Sequence, residues 1–524
     1  MKKEELRVYG PPGTGKTTWT AKKAGEYAEK YGSDQVSLCS LTNAAIREVI
    51  ERKIPVNREN IATLHSRCKR VLFAGKPAED DIGEFMEDNR GWASTTGMSP
   101  CLPAHMVRHV KGRDSNEENF ASGQMSLFEY AQILRQQLIP KEKWPILTRQ
   151  FSDVWEDWCE QTGRMDFTGW LETVLKSGSL PPQQVVFVDE AQDHTPLQLA
   201  VIRSWRAHTT ILVGDDDQCC YEWSGSVPGE FFKQTENLSG EKVLSQSYRV
   251  PRAVFMVADR WVKQIKKRKE KEYHPRDFEG SVTHLNYATN DALFSGELPD
   301  GIFDGSGETQ MIITSCAYML DPIIASLKEQ RIPFHNPYRP AHAKWNPLRA
   351  FNKYIEAFKV GERMWTGNEA WTWAKLLRSK GVFNPRMRGK FLDLCDSLGS
   401  QPLTEADIEK YFLQQHKDRI LKQDIGFLKD EKGFTKSFDW DYIWNVYESG
   451  RHKPKVVVGT IHSVKGGEAD NVYLFPDLSA AGLKEYLGTR ADRVHRLFYV
   501  GVTRARKNLF LCSRSNPFRA ISWE

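Results

Sequence analysis

The stretch Gly10-Pro11-Pro12-Gly13-Thr14-Gly15-Lys16-Thr17 constrains this chain more than any other. It completes the pattern G-x-x-x-x-G-K-[ST] between a short apolar run at residues 6–9 and helical text. Glycines let such a loop curl until successive N–H groups and the N-terminus of the next helix face a phosphate. Gly10, Pro11, Pro12, Gly13, Thr14 and Gly15 therefore predict a phosphate cradle. Lys16 supplies a cation for the β/γ oxygens, and Thr17, followed by Thr18, a hydroxyl for Mg²⁺. The helix that follows sets Ala21, Ala24, Ala28 and Tyr31 on one face and stops at Gly32.

A second signal is Val185-Val186-Phe187-Val188-Asp189-Glu190-Ala191-Gln192-Asp193, an apolar run ending in two carboxylates. A buried strand of an open parallel sheet delivers ligand-binding residues at that end. Asp189 is expected to hold Mg²⁺ through water, and Glu190 to orient and deprotonate a water that attacks the γ-phosphate.

Runs of the same kind recur at both ends of the chain and predict parallel α/β layers. One group lies at 6–9, 35–40, 185–188 and 211–213, the other at 312–314, 456–458, 472–475 and 509–512, so two nucleotide-binding cores are expected. Between about residues 71 and 180 the text turns helical and aromatic (Trp144, Trp155, Trp158, Trp170). It does so again from about 337 to 455 (Trp345, Trp365, Trp371, Trp373, Trp440, Trp444). Both blocks read as insertions, and most of their tryptophans as insertion cores rather than stacking platforms.

Length and charge fit that plan. At about 150 residues per domain, 524 residues make three or four domains. Lys+Arg 73 against Asp+Glu 68 leaves a net charge of +5, so nucleic-acid affinity must come from a local groove. The nine cysteines show no zinc or iron–sulfur spacing, which fits a reducing compartment. No apolar run approaches the roughly 18 to 20 residues of a membrane span, and Met1-Lys2-Lys3-Glu4-Glu5 lacks the apolar stretch of a signal peptide. A cytoplasmic protein with no membrane partner is expected.

Read together, these motifs resemble those of the superfamily 1A DNA helicases of the UvrD/Rep/PcrA type, in a compact, phage-like form. The series runs in family order from Gly10 to Arg506. Ser40-Leu41-Thr42-Asn43-Ala44-Ala45 resembles motif Ia, Ala62-Thr63-Leu64-His65-Ser66 motif Ic, and Asp189 to Asp193 motif II. Val213-Gly214-Asp215-Asp216-Asp217-Gln218 with Tyr221-Glu222-Trp223 resembles motif III, and Ser245-Gln246-Ser247-Tyr248-Arg249 motif IV. Gly459-Thr460-Ile461-His462-Ser463-Val464-Lys465-Gly466-Gly467-Glu468 is similar to motif V, and Val500-Gly501-Val502-Thr503-Arg504-Ala505-Arg506 to motif VI.

The resemblance implies an α/β fold of two RecA-like P-loop NTPase cores with parallel sheets, each interrupted by a mainly helical accessory insertion. The first core would take residues 1–70 and 181–278, with 71–180 inserted; the second 279–338 and 455–524, with 339–454 inserted. It also implies ATP with Mg²⁺ at Thr17, Asp189 and Glu190, and a catalytic set of Lys16, Glu190, Gln218, Arg249 and Arg504. Tyr248 would stack on adenine and Glu468 bind ribose. Thr42, Asn43, Thr63, His65, Tyr221, Trp223, Thr460 and His462 would contact single-stranded DNA, with stacking on the aromatic rings.

The implied activity is an ATP-dependent single-stranded DNA translocase and helicase, 3'-to-5', acting at single-strand/duplex junctions in a bacterial cytoplasm, or phage-encoded in the host cytoplasm. The alternative is a nucleotide-gated DNA-binding motor or sensor subunit that works with a nuclease, replication, repair or defence partner. Three positions depart from the family pattern. No Gln precedes Gly10 to read adenine, Leu41 stands where an aromatic is common, and Ser224 follows Trp223 where Arg is common. The basic run Lys263, Lys266, Lys267, Arg268, Lys269, Lys271 reads first as a solvated helix face, with DNA contact as the second reading.

Overall fold

The computed structural model describes residues 3–40, 46, 50, 54–89, 126–178, 183–205, 207–286, 307–430, 439–451 and 453–523. Its contacts divide into two units, one of Met1–Asp291, Gln310–Leu320 and Gly459–Glu524, the other of Ala292–Thr309 and Asp321–Val458.

The first unit holds two sheets. In chain order, β1 (Glu4–Tyr9), β2 (Val36–Ser40), β3 (Ile61–Thr63), β4 (Val185–Val188), β5 (Thr209–Gly214) and β6 (Leu238–Val243) make a six-stranded sheet ordered β3-β2-β4-β5-β1-β6. Every pairing in it is parallel. β2, β4 and β5 are buried along their whole length because helices cover both faces. β7 (Ser281–Leu285), β8 (Gln310–Thr314), β11 (Ala469–Leu474) and β12 (Ala505–Cys512) form the second, ordered β7-β12-β11-β8 and also parallel. The expected fold class, α/β with two parallel sheets, is therefore present. Four strands escape the apolar-run reading: β3, β6, β7 and the two-residue β9 (Phe334–His335), which pairs with β10 (Val456–Thr460). β3 and β9 are too short for a run, and β6 and β7 lie at sheet edges with polar text in part exposed.

Residues 126–178 of the first insertion are helical. Ser126 and Glu129 form a reciprocal cap at the start of the helix Leu127–Gln136. Trp155 and Trp158 pack with Phe85, Phe128 and Phe151, and their indole N–H groups donate to Asp166 at 2.8 Å and Asp88 at 2.9 Å. Trp144 and Trp170 are buried as well. The second unit is built of short helices around a ring cluster of Phe358, Trp365, Trp373, Phe391 and Phe412. Trp345 and Trp444 are also buried, whereas Trp371 is exposed. Among the described residues no helix is long and apolar enough to cross a membrane.

Candidate active site

Neighbouring parallel strands β4, β5 and β1 bring their C-terminal ends to one place, so Asp189, Asp215 and the phosphate loop converge. Gly13 and Gly15 have φ of 74° and 77°, which a Cβ would strain. A Cβ on Gly13 would also collide with Arg249 Cβ, which lies directly against the loop. Gly15 caps the helix Lys16–Tyr31 with no side-chain acceptor and no acidic residue in the first turn, leaving its N–H groups to face an anion. Thr14 Oγ1 donates to Pro11 O at 2.8 Å, and Lys16 Nζ to Gly10 O at 2.7 Å, which holds the ammonium over the loop. Thr17 is half-buried in the first turn beside the exposed Thr18. With Asp189, which is buried at the end of β4, Thr17 offers the hard oxygen donors that Mg²⁺ takes.

Glu190 adopts φ 52°, a left-handed backbone unusual for a side chain of this kind and a mark of functional sites. Its Oε2 accepts from Gln192 Nε2 at 2.5 Å, and Lys465 Nζ stands 3.7 Å away. Burial by itself would raise the Glu190 pKa, but the ammonium groups of Lys465 and Lys16, with Gln192 and Arg504, hold it below the usual carboxylate range. It is ionised, as a base must be. Lys465 also pairs with Asp193 and donates to Gln218 O at 2.9 Å. Burial, with the Glu190 charge nearby, pushes Asp193 up to about 6, so at neutral pH it still carries charge against Lys465.

Gln218 joins the two halves of the sequence. Its Nε2 donates to Asp215 Oδ2 at 2.7 Å, and its Oε1 accepts from Arg504 Nη2 at 3.2 Å. Arg504 is buried and also donates to Val500 O at 2.8 Å and Gly467 O at 3.1 Å. Burial lowers its pKa to about 10, which leaves it charged at neutral pH. Arg249 Nε donates to Glu468 Oε2 at 2.5 Å, and Arg506 lies 3.5 Å from the other Glu468 oxygen. Tyr248 is 71% exposed, with its N–H on Gly13 O at 2.8 Å, so its ring stands free beside the loop.

The expected DNA residues fall into two groups. Trp223 is 40% exposed, 6.1 Å from the Tyr221 ring, which lies 6.4 Å from that of His462. His462 Nε2 is 3.1 Å from Cys220 O. Thr460, in contrast, is buried, and its hydroxyl accepts from Ser463 N at 3.2 Å. Thr63 caps the helix Leu64–Val71 by accepting from Ser66 N at 3.3 Å. His65 packs edge-on against Phe167, and burial lowers its pKa to about 4, leaving a neutral ring. Thr42 and Asn43 lie outside the described residues. Trp223→Ala should weaken binding of oligo-dT by about 1–3 kcal/mol in an anisotropy titration, the usual worth of one stacked base. Trp371→Ala, in the second unit, should leave it unchanged, and equal losses would remove Trp223 from the DNA path.

Several site residues carry no role in the sequence reading. Glu222 accepts from Arg493 at 3.1 Å and from Arg496 at 3.0 Å, both on the helix Ala491–Val502. The basic run is not a solvated helix face throughout: the helix Arg252–Val262 ends before it, and Arg268 and Lys271 turn inward onto Asp215, Asp216 and Asp217. Three successive buried carboxylates require compensating cations, which overrides the preference of lysine for water. The only sequence signal was the Asp-Asp-Asp run at the end of an apolar strand.

Comparison with known proteins matches both ends of the chain. Residues 1–224 match a family model described as an AAA domain, and residues 455–512 one described as a UvrD-like helicase C-terminal domain. A putative ATP-dependent DNA helicase YjcD of Bacillus subtilis is 21% identical over 592 aligned residues, covering 98% of this chain and 77% of that protein. A probable DNA helicase II homolog of Mycoplasma capricolum is 23% identical over 329 residues, covering 55% of this chain and 43% of its own length. Its counterpart in Mycoplasma genitalium is 24% identical over 296 residues, 49% of this chain and 40% of that one. The match thus spans less than half the length of the two Mycoplasma relatives.

Proposed function

Belonging as it does with the UvrD-like helicases of superfamily 1, the chain is, we propose, an ATP-dependent DNA helicase that moves 3'-to-5' along single-stranded DNA. The observation that carries this reading is the contact between Arg504 and Gln218 at 3.2 Å, beside the phosphate loop. It brings an arginine from the text matched by the C-terminal model onto a residue from the text matched by the first. Hydrolysis that requires both halves is the property a motor needs, since each turnover then reports whether the halves are engaged.

In this mechanism Lys16 and the first-turn N–H groups of the loop helix hold the phosphates, and Glu190 takes the proton of the attacking water. Mg²⁺, held by Thr17 and Asp189, supplies positive charge against the phosphate oxygens when bound. Arg504, with Arg249 once released from Glu468, neutralises charge that develops on the γ-phosphate. Trp223 and Tyr221, five and three residues beyond Gln218, sit close enough for a base stacked there to bias the Gln218 contacts. The two helical blocks are proposed as accessory insertions that meet duplex.

A strand-displacement assay with 3'-tailed, 5'-tailed and blunt duplexes tests the reading. ATP- and Mg²⁺-dependent displacement of the 3'-tailed substrate alone is expected. Vigorous ATP hydrolysis on single strands without displacement of any duplex would reduce the chain to a translocase or a partner-dependent subunit, and preference for the 5' tail would reverse the polarity.

A further inference from the structure

The geometry points to Lys271 as a positioning residue that sets the orientation of the Gln218 side chain, acting from a strap, residues 266–274, that ties the phosphate loop to Asp215–Gln218 and to the helix Ala491–Val502. The inference rests on the helicase reading for its consequence, not for its geometry. Asp215, Asp216 and Asp217 are 0%, 0% and 1% exposed. Lys271 Nζ lies 2.8, 2.5 and 2.8 Å from one oxygen of each, and Arg268 adds a forked pair on Asp217 at 2.9 and 2.7 Å. The cluster is therefore a filled ion-pair cage rather than a cation site in waiting.

The consequence lies one bond further on. Lys271 takes Oδ1 of Asp215, while Oδ2 accepts from Gln218 Nε2 at 2.7 Å. A side-chain amide has one donor end and one acceptor end. With its nitrogen committed to Asp215, Gln218 must turn Oε1 toward the guanidinium of Arg504, 3.2 Å away. The reversed amide would oppose donor to donor. Lys271 holds the Asp215 carboxylate in the rotamer that imposes this choice.

The same strap grips the other parts of the site. Tyr273 Oη donates to Pro12 O in the phosphate loop at 2.8 Å, and His274 exchanges backbone bonds with Ser245 at 2.8 Å and Ser247 at 2.9 Å. At its other end Lys266 N and Lys267 N donate to the two Asp492 oxygens, each at 3.0 Å, and Arg496 donates to Lys267 O. Nine residues of strap thus touch the loop, the Asp cage and the helix that leads to Arg504.

The test is a double-mutant cycle on DNA-stimulated ATP hydrolysis. Lys271→Met is expected to lower kcat about tenfold with the KM for ATP within about twofold, and to have less than a twofold further effect in a Gln218→Ala background. Equal losses in both backgrounds would overturn the proposal, because Lys271 would then act through stability alone. Asp216→Asn/Lys271→Met keeps the cage charge of the wild type and leaves Asp215 intact; it should melt like the wild type yet show the same kcat loss, and wild-type turnover in it would also overturn the proposal. Hydrogen exchange provides a readout independent of turnover. Lys271→Met should speed exchange of residues 215–218 while leaving the rest of β5 protected, and unchanged exchange there would count against the positioning role. A wild-type chain that hydrolyses no ATP would overturn the helicase reading alone, with the exchange result still deciding the role of Lys271.

Discussion

Arg504→Ala is expected to cut DNA-stimulated ATP turnover by roughly 10³-fold or more, the range for removal of an arginine that neutralises a transferring phosphoryl group. KM for ATP should change little, because Lys16 and the loop N–H groups keep the ground state. The reason is specific to this site: Arg504 is the guanidinium that touches Gln218, and it is buried, where a charge acts in a low dielectric. Arg504→Lys should recover little of the loss, since an ammonium cannot span Val500 O, Gly467 O and Gln218 Oε1 as the planar fork does. Removing the side chain strips the buried Gly467 carbonyl of its Arg504 donor, at about 1–3 kcal/mol, while Val500 O keeps Thr503 Oγ1 at 3.1 Å, so thermal melting belongs beside the kinetics. A well-folded Arg504→Ala that turns over within about tenfold of wild type would exclude this arginine from the chemistry.

Glu190→Gln is expected to lower kcat by about 10²–10⁴-fold while preserving nucleotide affinity, as loss of a positioned general base does. The substitution keeps the shape of the side chain, so the left-handed backbone at this position and the neighbouring Gln192 are disturbed least. What disappears is a carboxylate that Lys465 and Lys16 hold ionised against the cost of burial. Single-turnover hydrolysis measured with equilibrium binding of a fluorescent nucleotide separates the two effects. Retained turnover would move the base role elsewhere, and lost binding would make Glu190 a ligand of the nucleotide–metal complex rather than a base.

The phosphate-loop side of the candidate site was legible in the sequence because its parts are local. A Gly-rich loop, a strand ending in Asp-Glu and a strand ending before Gln218 each carry their meaning within about ten residues, and a parallel sheet places their ends together by topology. The expected DNA contacts were less so. Trp223 keeps a partly exposed ring beside Tyr221, whereas Thr63 and Thr460 use their hydroxyls as caps on nearby backbone. A threonine in a motif looks the same whether its hydroxyl faces a phosphate or its own helix.

Sequence alone determined the class of fold, the phosphate loop and the Asp189–Glu190 pair at the end of a buried strand, since backbone conformation at glycine and burial of short apolar runs follow from local chemistry. Tertiary structure alone decided which charges meet. Lys271 fills the Asp cage instead of facing water, Glu222 is held by Arg493 and Arg496 from 271 and 274 residues away, and Arg504 reaches Gln218 across 286 residues. No periodicity encodes such pairs. A buried charge must find a partner, and only the packed chain fixes which partner is within reach.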